Sequence, residues 1–246
     1  MAINKDSNVY TIGFAFVLVC VVGTILAILS IGLKPMQERN AEVKKKIDIL
    51  SAMMTSDEMT NIDRKNAEEE FDKFVNIDAA LVLDMNGSIK AGSDAFNVDI
   101  RKERRDKAIS ETDKNYPLFE AKSKSGEKLY IIPVVGSGLW GPIWGNICVG
   151  EDMRTIRGAS FGHKGETPGL GAEISQSFFV NRWLGEEISD KDGMATKFEV
   201  VKNSSGADPK MVDGITGGTI TSVGVQEMVN RCLKPYIAYF NNLKKD

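Results

Sequence analysis

From Thr11 to Leu33 the chain reads TIGFAFVLVCVVGTILAILSIGL, 23 residues without a charge. As a helix rising 1.5 Å per residue, the run covers about 34 Å, enough to cross a hydrocarbon core with slight tilt. A cleaved signal peptide would carry a shorter apolar region, roughly 7–15 residues, followed by a small-residue cleavage site. Here Lys34-Pro35 follows, and Lys5 is the only basic side chain ahead of the run. Residues 11–33 are therefore read as a retained transmembrane helix in contact with membrane lipid, preceded by a tail at 1–10. Lys34, Arg39, Lys44, Lys45 and Lys46 follow the span, interleaved with Glu38, Glu42 and Asp48. Taken alone, that excess of cations places the C-terminal body in the cytoplasm.

Val43, Ile47, Leu50 and Met54 recur at helical spacing, so residues 36–54 read as a stalk helix, with a second helix over about 57–76. The segment 34–76 is thus helical and 77–246 forms the folded domain. Strands are expected at Ala79–Asp84, Leu118–Lys122, Leu129–Val135, Pro142–Val149, Thr155–Phe161 and Phe198–Lys202. Asn86-Gly87, ahead of Ser88–Ala91, and Ser125-Gly126 supply turns. A short helix is expected over Gly171–Arg182. From Thr221 onward, Val225, Met228, Val229, Cys232, Leu233, Tyr236, Tyr239, Phe240 and Leu243 follow the i, i+3, i+4, i+7 spacing of one amphipathic helix. Short strands in succession with helices at either end define an α+β domain with a mainly antiparallel sheet.

Composition narrows the function classes. Thirty-one basic residues against 34 acidic ones give a net charge of −3, which offers no bulk attraction to nucleic acid. The basic stretch RKERRDKAIS at 101–110 contains Glu103 and Asp106 and reads as a solvated helix face. The three cysteines, Cys20, Cys148 and Cys232, are too scattered for a disulfide framework or a thiolate zinc site. With His163 as the one histidine, no multi-histidine metal centre can form within the chain, and no metal site is expected.

Three glycine-rich segments carry the chemistry. Gly136-Ser137-Gly138-Leu139-Trp140-Gly141 fits G-x-G-x-x-G, but Pro142 and a strand follow where a dinucleotide fold needs a helix, so it reads as a β turn carrying Trp140. In His163–Gly171, Thr167-Pro168-Gly169 is a turn. Glu166 and Thr167 offer polar groups there, and Gly165, Gly169 and Gly171 permit close backbone approach; spacing alone favours an ordinary loop between strand and helix. The third, DGITGGTITS at 213–222, precedes the terminal helix. Its N–H groups and the helix dipole suit a phosphate, while Thr221 or Ser222 as a plain N-cap would also explain it.

Taken together, GSGLWGP at 136–142, ETPGLG at 166–171 and DGITGGTITS resemble the NqrC family, the flavin subunits of the sodium-translocating NADH:quinone oxidoreductase, within the FMN-binding domain family. The layout matches as well: one N-terminal span, a soluble domain, and the flavin motif just ahead of a C-terminal helix. The resemblance implies that 77–246 is an FMN-binding domain and that FMN is held covalently, as a phosphoester on Thr219. The motif begins at Asp213 and includes Gly214, Thr216, Gly217 and Gly218; the family usually has alanine where Gly218 stands. It further implies that Glu166, Thr167, Gly169 and Leu170 line the flavin, with Trp140 beside the ring. A separate flavin transferase would load the cofactor from FAD with Mg²⁺, and the other subunits of a membrane redox complex would be the partners. The resemblance also places the flavin domain on the periplasmic side of the bacterial inner membrane, against the charge count.

The implied role is an electron carrier between NADH and quinone, coupled to sodium export. The sequence shows no NADH-binding signature, no cysteine set for an iron–sulfur cluster and no charge in the span, so such an activity would belong to the assembly. Two other readings compete. The homologous flavin subunit of the Rnf ferredoxin:NAD⁺ oxidoreductase complex would share the anchor and the flavin threonine, but Leu139-Trp140 and Trp183-Leu184-Gly185 favour the quinone reductase. A non-redox anchored binding protein, whose glycine loop only caps a helix, would carry no flavin.

Overall fold

The computed structural model describes residues 7–106, 108–202 and 210–244. Lys5, the start of the N-terminal tail and Lys107 of the basic stretch lie outside the described residues. The chain divides into two compact units, Met1–Lys45 and Lys46–Asp246.

The apolar run belongs to helix α1, Asn8–Met53. Its most apolar 18-residue stretch has a mean hydropathy of 2.9 and is wholly unburied, so the helix is long and apolar enough to cross a membrane. The sequence suggested separate span and stalk helices around Lys34-Pro35, but α1 continues through Pro35. Proline there removes a single backbone donor, and good helix formers on both sides carry the helix past it.

The helix expected over 57–76 is instead two short ones, α2 (Ser56–Met59) and α3 (Ala67–Phe74). Thr55 and Glu58 form a reciprocal capping box that starts α2. Asp63 Oδ1 then accepts from the N–H groups of Lys65 and Asn66, and Asn66 Oδ1 accepts from Asp63 N–H. These local bonds compete with the helical ladder and interrupt it.

Five antiparallel strands follow in simple meander order: β1 (Val75–Leu83), β2 (Tyr116–Lys122), β3 (Lys128–Ser137), β4 (Pro142–Val149) and β5 (Ile156–His163). β1 begins ahead of the expected Ala79, and a register shift between Asn76 and Leu81 hides its alternation in the sequence. Ser88–Ala91 contributes only an isolated bridge, Leu83 to Ile89. α4 (Ile100–Arg105) lies in the connection between β1 and β2.

The sheet is covered on both faces. Along β3, Tyr130, Ile132 and Val134 enter one hydrophobic cluster, while Leu129 and Ile131 enter the other. Burial on both faces makes this strand an unbroken apolar run rather than an alternating one. The second face receives the end of α1 through Ile49, Leu50 and Ala52, together with Phe71 of α3. Each large apolar side chain among them contributes about 1.5–3 kcal/mol by burial. The Asp48 carbonyl accepts from Asn146 Nδ2 at 3.1 Å and Ser160 Oγ at 2.9 Å, which fixes that helix end on β4 and β5.

The first face is packed by Trp183, in edge-on contact with Phe161, Phe179 and Phe198, and by the C-terminal helices. The helix expected over Gly171–Arg182 is a chain of short turns around α5 (Ser177–Val180). β6 (Glu199–Val201) pairs in parallel with β7 (Met211–Asp213), a strand absent from the sequence reading. The terminal helix is two helices, α6 (Thr219–Cys232) and α7 (Lys234–Leu243), parted where Pro235 opens α7. Proline fits a first helical turn and would break an interior one, so the apolar spacing continues across a boundary it does not reveal.

Cys148 and Cys232 are both buried and free, in clusters on opposite faces of the sheet. They do not pair.

Candidate functional site

The three glycine-rich segments converge at one end of the domain. Gly136–Gly141 makes the β3–β4 hairpin connection, closed by Gly138 N–H donating to the Gly141 carbonyl at 2.7 Å. No helix starts there, so the segment cannot cradle a dinucleotide in the Rossmann manner. Leu139 and Trp140 stand out at its tip, Trp140 being 68% exposed.

The second segment leaves β5 at His163, whose Nδ1 accepts from Glu166 N–H at 3.1 Å. Leu170 N–H then donates to the Thr167 carbonyl, with Pro168 second and Gly169 at φ 76° third in the turn, the signature of a type II turn. Thr167, Gly169 and Leu170 are exposed. Glu166 is not: it is 4% exposed, with Oε1 accepting from Trp140 N–H at 2.8 Å and Oε2 from the Thr221 hydroxyl at 2.6 Å.

In the third segment, Asp213 ends β7 and Gly214 N–H continues the pairing to the Val201 carbonyl. Ile215–Gly218 forms a turn closed by Gly218 N–H to the Ile215 carbonyl at 2.9 Å, with Gly217 at φ 76°. Only glycine takes that conformation readily, and a Cβ at Gly217 would stand 2.6 Å from Leu170 Cδ2. Gly218 is tight too: a Cβ would lie 3.0 Å from the Leu170 carbonyl oxygen, which the alanine usual in the family would have to displace slightly.

Helix α6 starts at Thr219, with Gly218 as its N-cap and no capping side chain. Thr221 and Ser222 therefore do not cap. Both are buried inside the first turn, and Ser222 Oγ donates to the Gly218 carbonyl and accepts from Ile215 N–H. Thr216 and Thr219 are exposed. Arg182, which the sequence reading passed over, donates through Nη1 to the Asp213 and Gly214 carbonyls and packs over the Phe178 ring at 5.4 Å. Nothing in the sequence marks it, because its partners are main-chain oxygens 31 and 32 residues away.

Among the described residues, no three His, Cys, Asp or Glu side chains gather as a metal site. A cavity of about 250 Å³ beside Cys232 and Tyr236 is separate from these loops. What the loops present together is an exposed threonine, Thr219, following a glycine turn at a helix start, with exposed Trp140, Leu139, Leu170 and Ile220 on the same segments. That donor set fits a flavin phosphate tethered through an ester, with apolar side chains available to a flat ring.

The fold is that of an FMN-binding domain, and residues 138–234 match that family. The chain is 32% identical over 241 residues to the NqrC protein of the Na(+)-translocating NADH-quinone reductase of Vibrio anguillarum, covering 92% of this chain and 90% of that one. It is 30% identical to the corresponding protein of Vibrio parahaemolyticus, again over 92% and 90%. The crystal structure of its counterpart from Parabacteroides distasonis superposes with a TM-score of 0.72 at 38% identity, covering 84% of this chain and 96% of that chain. NqrC of Shewanella oneidensis shares the fold, with a TM-score of 0.64 at 23% identity over 82% and 100%. The chain belongs to the NqrC family of Na⁺-translocating NADH-quinone reductase subunits.

Proposed function

We propose that the protein is a covalent-FMN electron carrier of a membrane sodium-translocating NADH:quinone reductase, with FMN esterified to Thr219. The observation that carries this reading is the start of α6. Its N-cap is Gly218, Thr221 and Ser222 are buried, and Thr219 is left exposed at the first helical position. Helix capping therefore does not account for the hydroxyl-rich loop.

In maturation, Thr219 is the acceptor. Its Oγ bonds to the flavin-side phosphorus of FAD as the hydroxyl proton leaves and the phosphoanhydride bond breaks, with AMP departing. The ester then makes binding affinity unnecessary, and the protein is left to orient the ring and shape its surroundings. Gly217 and Gly218 keep side chains away from the acceptor oxygen, and the first-turn N–H groups of α6 favour the phosphate charge. Thr167, Gly169, Leu170 and Trp140 flank the ring, while Asp213, Gly214 and Thr216 shape the loop read by the transferase. Bound FMN supplies one- and two-electron redox chemistry.

The apolar part of α1 anchors the domain to the inner membrane, and the family resemblance supports a periplasmic domain over the cytoplasmic one favoured by flanking charge. Electrons would arrive from an NADH-oxidising subunit and leave towards quinone through other subunits of the complex.

Intact mass of the chain co-expressed with a flavin transferase tests the reading. A gain equal to FMN minus one water, absent from Thr219→Val, is expected. An unmodified wild-type chain beside a transferase active on another target would overturn it.

A further inference from the structure

Glu166 is the one buried acid among the described residues, and no basic side chain pairs with it there. Its carboxylate lies where the three loops meet: one oxygen takes the Trp140 N–H and the other takes the Thr221 hydroxyl. Two motif glycines make room for it. A Cβ at Gly138 would stand 2.6 Å from Glu166 Oε1, and one at Gly171 would stand 2.6 Å from Oε2 and 2.5 Å from Thr221 Oγ1. Such approaches lie far inside van der Waals contact, so these glycines serve a protein carboxylate rather than a ligand.

Thr221 is the third residue of α6 and Thr219 is the first. Two helical positions differ by about 200° around the axis, so drawing Thr221 inward turns Thr219 outward. We propose that Glu166 is a positioning residue for covalent loading: by holding Thr221, it sets the rotation of the first turn of α6 and thereby presents the Thr219 hydroxyl to the transferase. This rests on the reading that Thr219 receives FMN. It assigns Glu166 to the acceptor's support, not to the ring.

The test uses the full chain in detergent with a flavin transferase, FAD and Mg²⁺. Initial rates of FMN incorporation are measured against chain concentration for wild type, Glu166→Ala, Glu166→Gln, Thr221→Val and Thr221→Ser, with thermal melts of each. Misplacing a reacting group costs turnover more than encounter. Glu166→Ala and Thr221→Val should therefore lose about tenfold or more in kcat of transfer with KM nearly unchanged. Thr221→Ser keeps the hydroxyl. Glu166→Gln can accept from Trp140 N–H through its carbonyl and donate to the Thr221 oxygen through its amide. Both should load at close to the wild-type rate.

Loading of Glu166→Ala and Thr221→Val at the wild-type rate would overturn the proposal, as would a loss in Thr221→Ser equal to that in Thr221→Val. So would a defect that disappears at a temperature where the variant is fully folded, since that marks a stability effect alone. A wild-type chain that takes no flavin, or a loaded Thr219→Val chain, would instead remove the reading beneath it.

Discussion

The guanidinium of Arg182 donates to the carbonyl of Asp213 at 2.7 Å, and the same nitrogen reaches the Gly214 carbonyl at 3.1 Å. A charged donor thus holds the main chain on which the glycine-rich loop ahead of α6 begins. Arg182→Ala leaves both half-buried carbonyls without this donor, a loss of about 1.5–3 kcal/mol for bonds to a charged group. We expect a lower melting temperature and slower flavin incorporation. Arg182→Lys, whose shorter side chain ends in a more strongly hydrated ammonium, should restore only part of either. Unchanged melting and loading in Arg182→Ala would show the contact to be dispensable.

Gly138→Ala and Gly171→Ala each place a methyl group against the Glu166 carboxylate. Neither glycine has a positive φ, so the expected damage comes from crowding alone. Overpacking of this kind costs about 1–3 kcal/mol. Chemical denaturation should show it in both variants, and pairing Gly138→Ala with Glu166→Ala, which removes the crowded carboxylate, should give less than additive loss, whereas at Gly171 the Thr221 hydroxyl still crowds the methyl group.

At Gly158 a Cβ would come within 2.2 Å of the Ala52 carbonyl oxygen, a backbone atom that cannot swing aside. Gly158→Ala should push the end of α1 from β5 and weaken the bonds to the Asp48 carbonyl. A loss of roughly 2 kcal/mol or more is expected, with faster amide exchange over residues 46–53. Wild-type exchange there would contradict this packing.

Burial pushes the Cys148 thiol up to about 12 and the Cys232 thiol up to about 11, from an ordinary value of 9.0. Both should resist alkylation at pH 8 in the folded chain and react on unfolding. The pH dependence has a definite sign. A folded-state pKa above the unfolded one means that the unfolded chain binds fewer protons at high pH, so stability falls. The thiol contribution is complete below about pH 9 and is lost between there and about pH 11–12. Cys148→Ala with Cys232→Ala should flatten the fall in stability over that window; Tyr116, raised to about 12 chiefly by burial, leaves a residual slope.

Much of the fold is legible in local pattern. The β4 boundaries coincide with the expected Pro142–Val149, and the Ser125-Gly126 turn joins β2 to β3 with Gly126 at φ 87°. Local pattern misleads where a proline boundary, an irregular pairing or a very short strand intervenes. The amphipathic spacing of Thr221–Leu243 continues across Pro235, so periodicity alone merges α6 with α7. The irregular start of β1 conceals its alternation, and the three-residue strand β7 is too short to carry any.

The apolar helix, the α+β class and the three glycine-rich segments can be read from the chain because each is written in neighbouring residues through charge, periodicity and turn chemistry. What those segments do to one another depends on contacts that form on folding. Glu166 and Thr221 are 55 residues apart and Arg182 and Asp213 are 31 apart, and neither contact leaves a trace in local composition. A buried carboxylate without a cation is tolerable only where folding brings a main-chain N–H and a hydroxyl to it and clears side chains from Gly138 and Gly171. That convergence turns Thr221 inward and leaves Thr219 facing out.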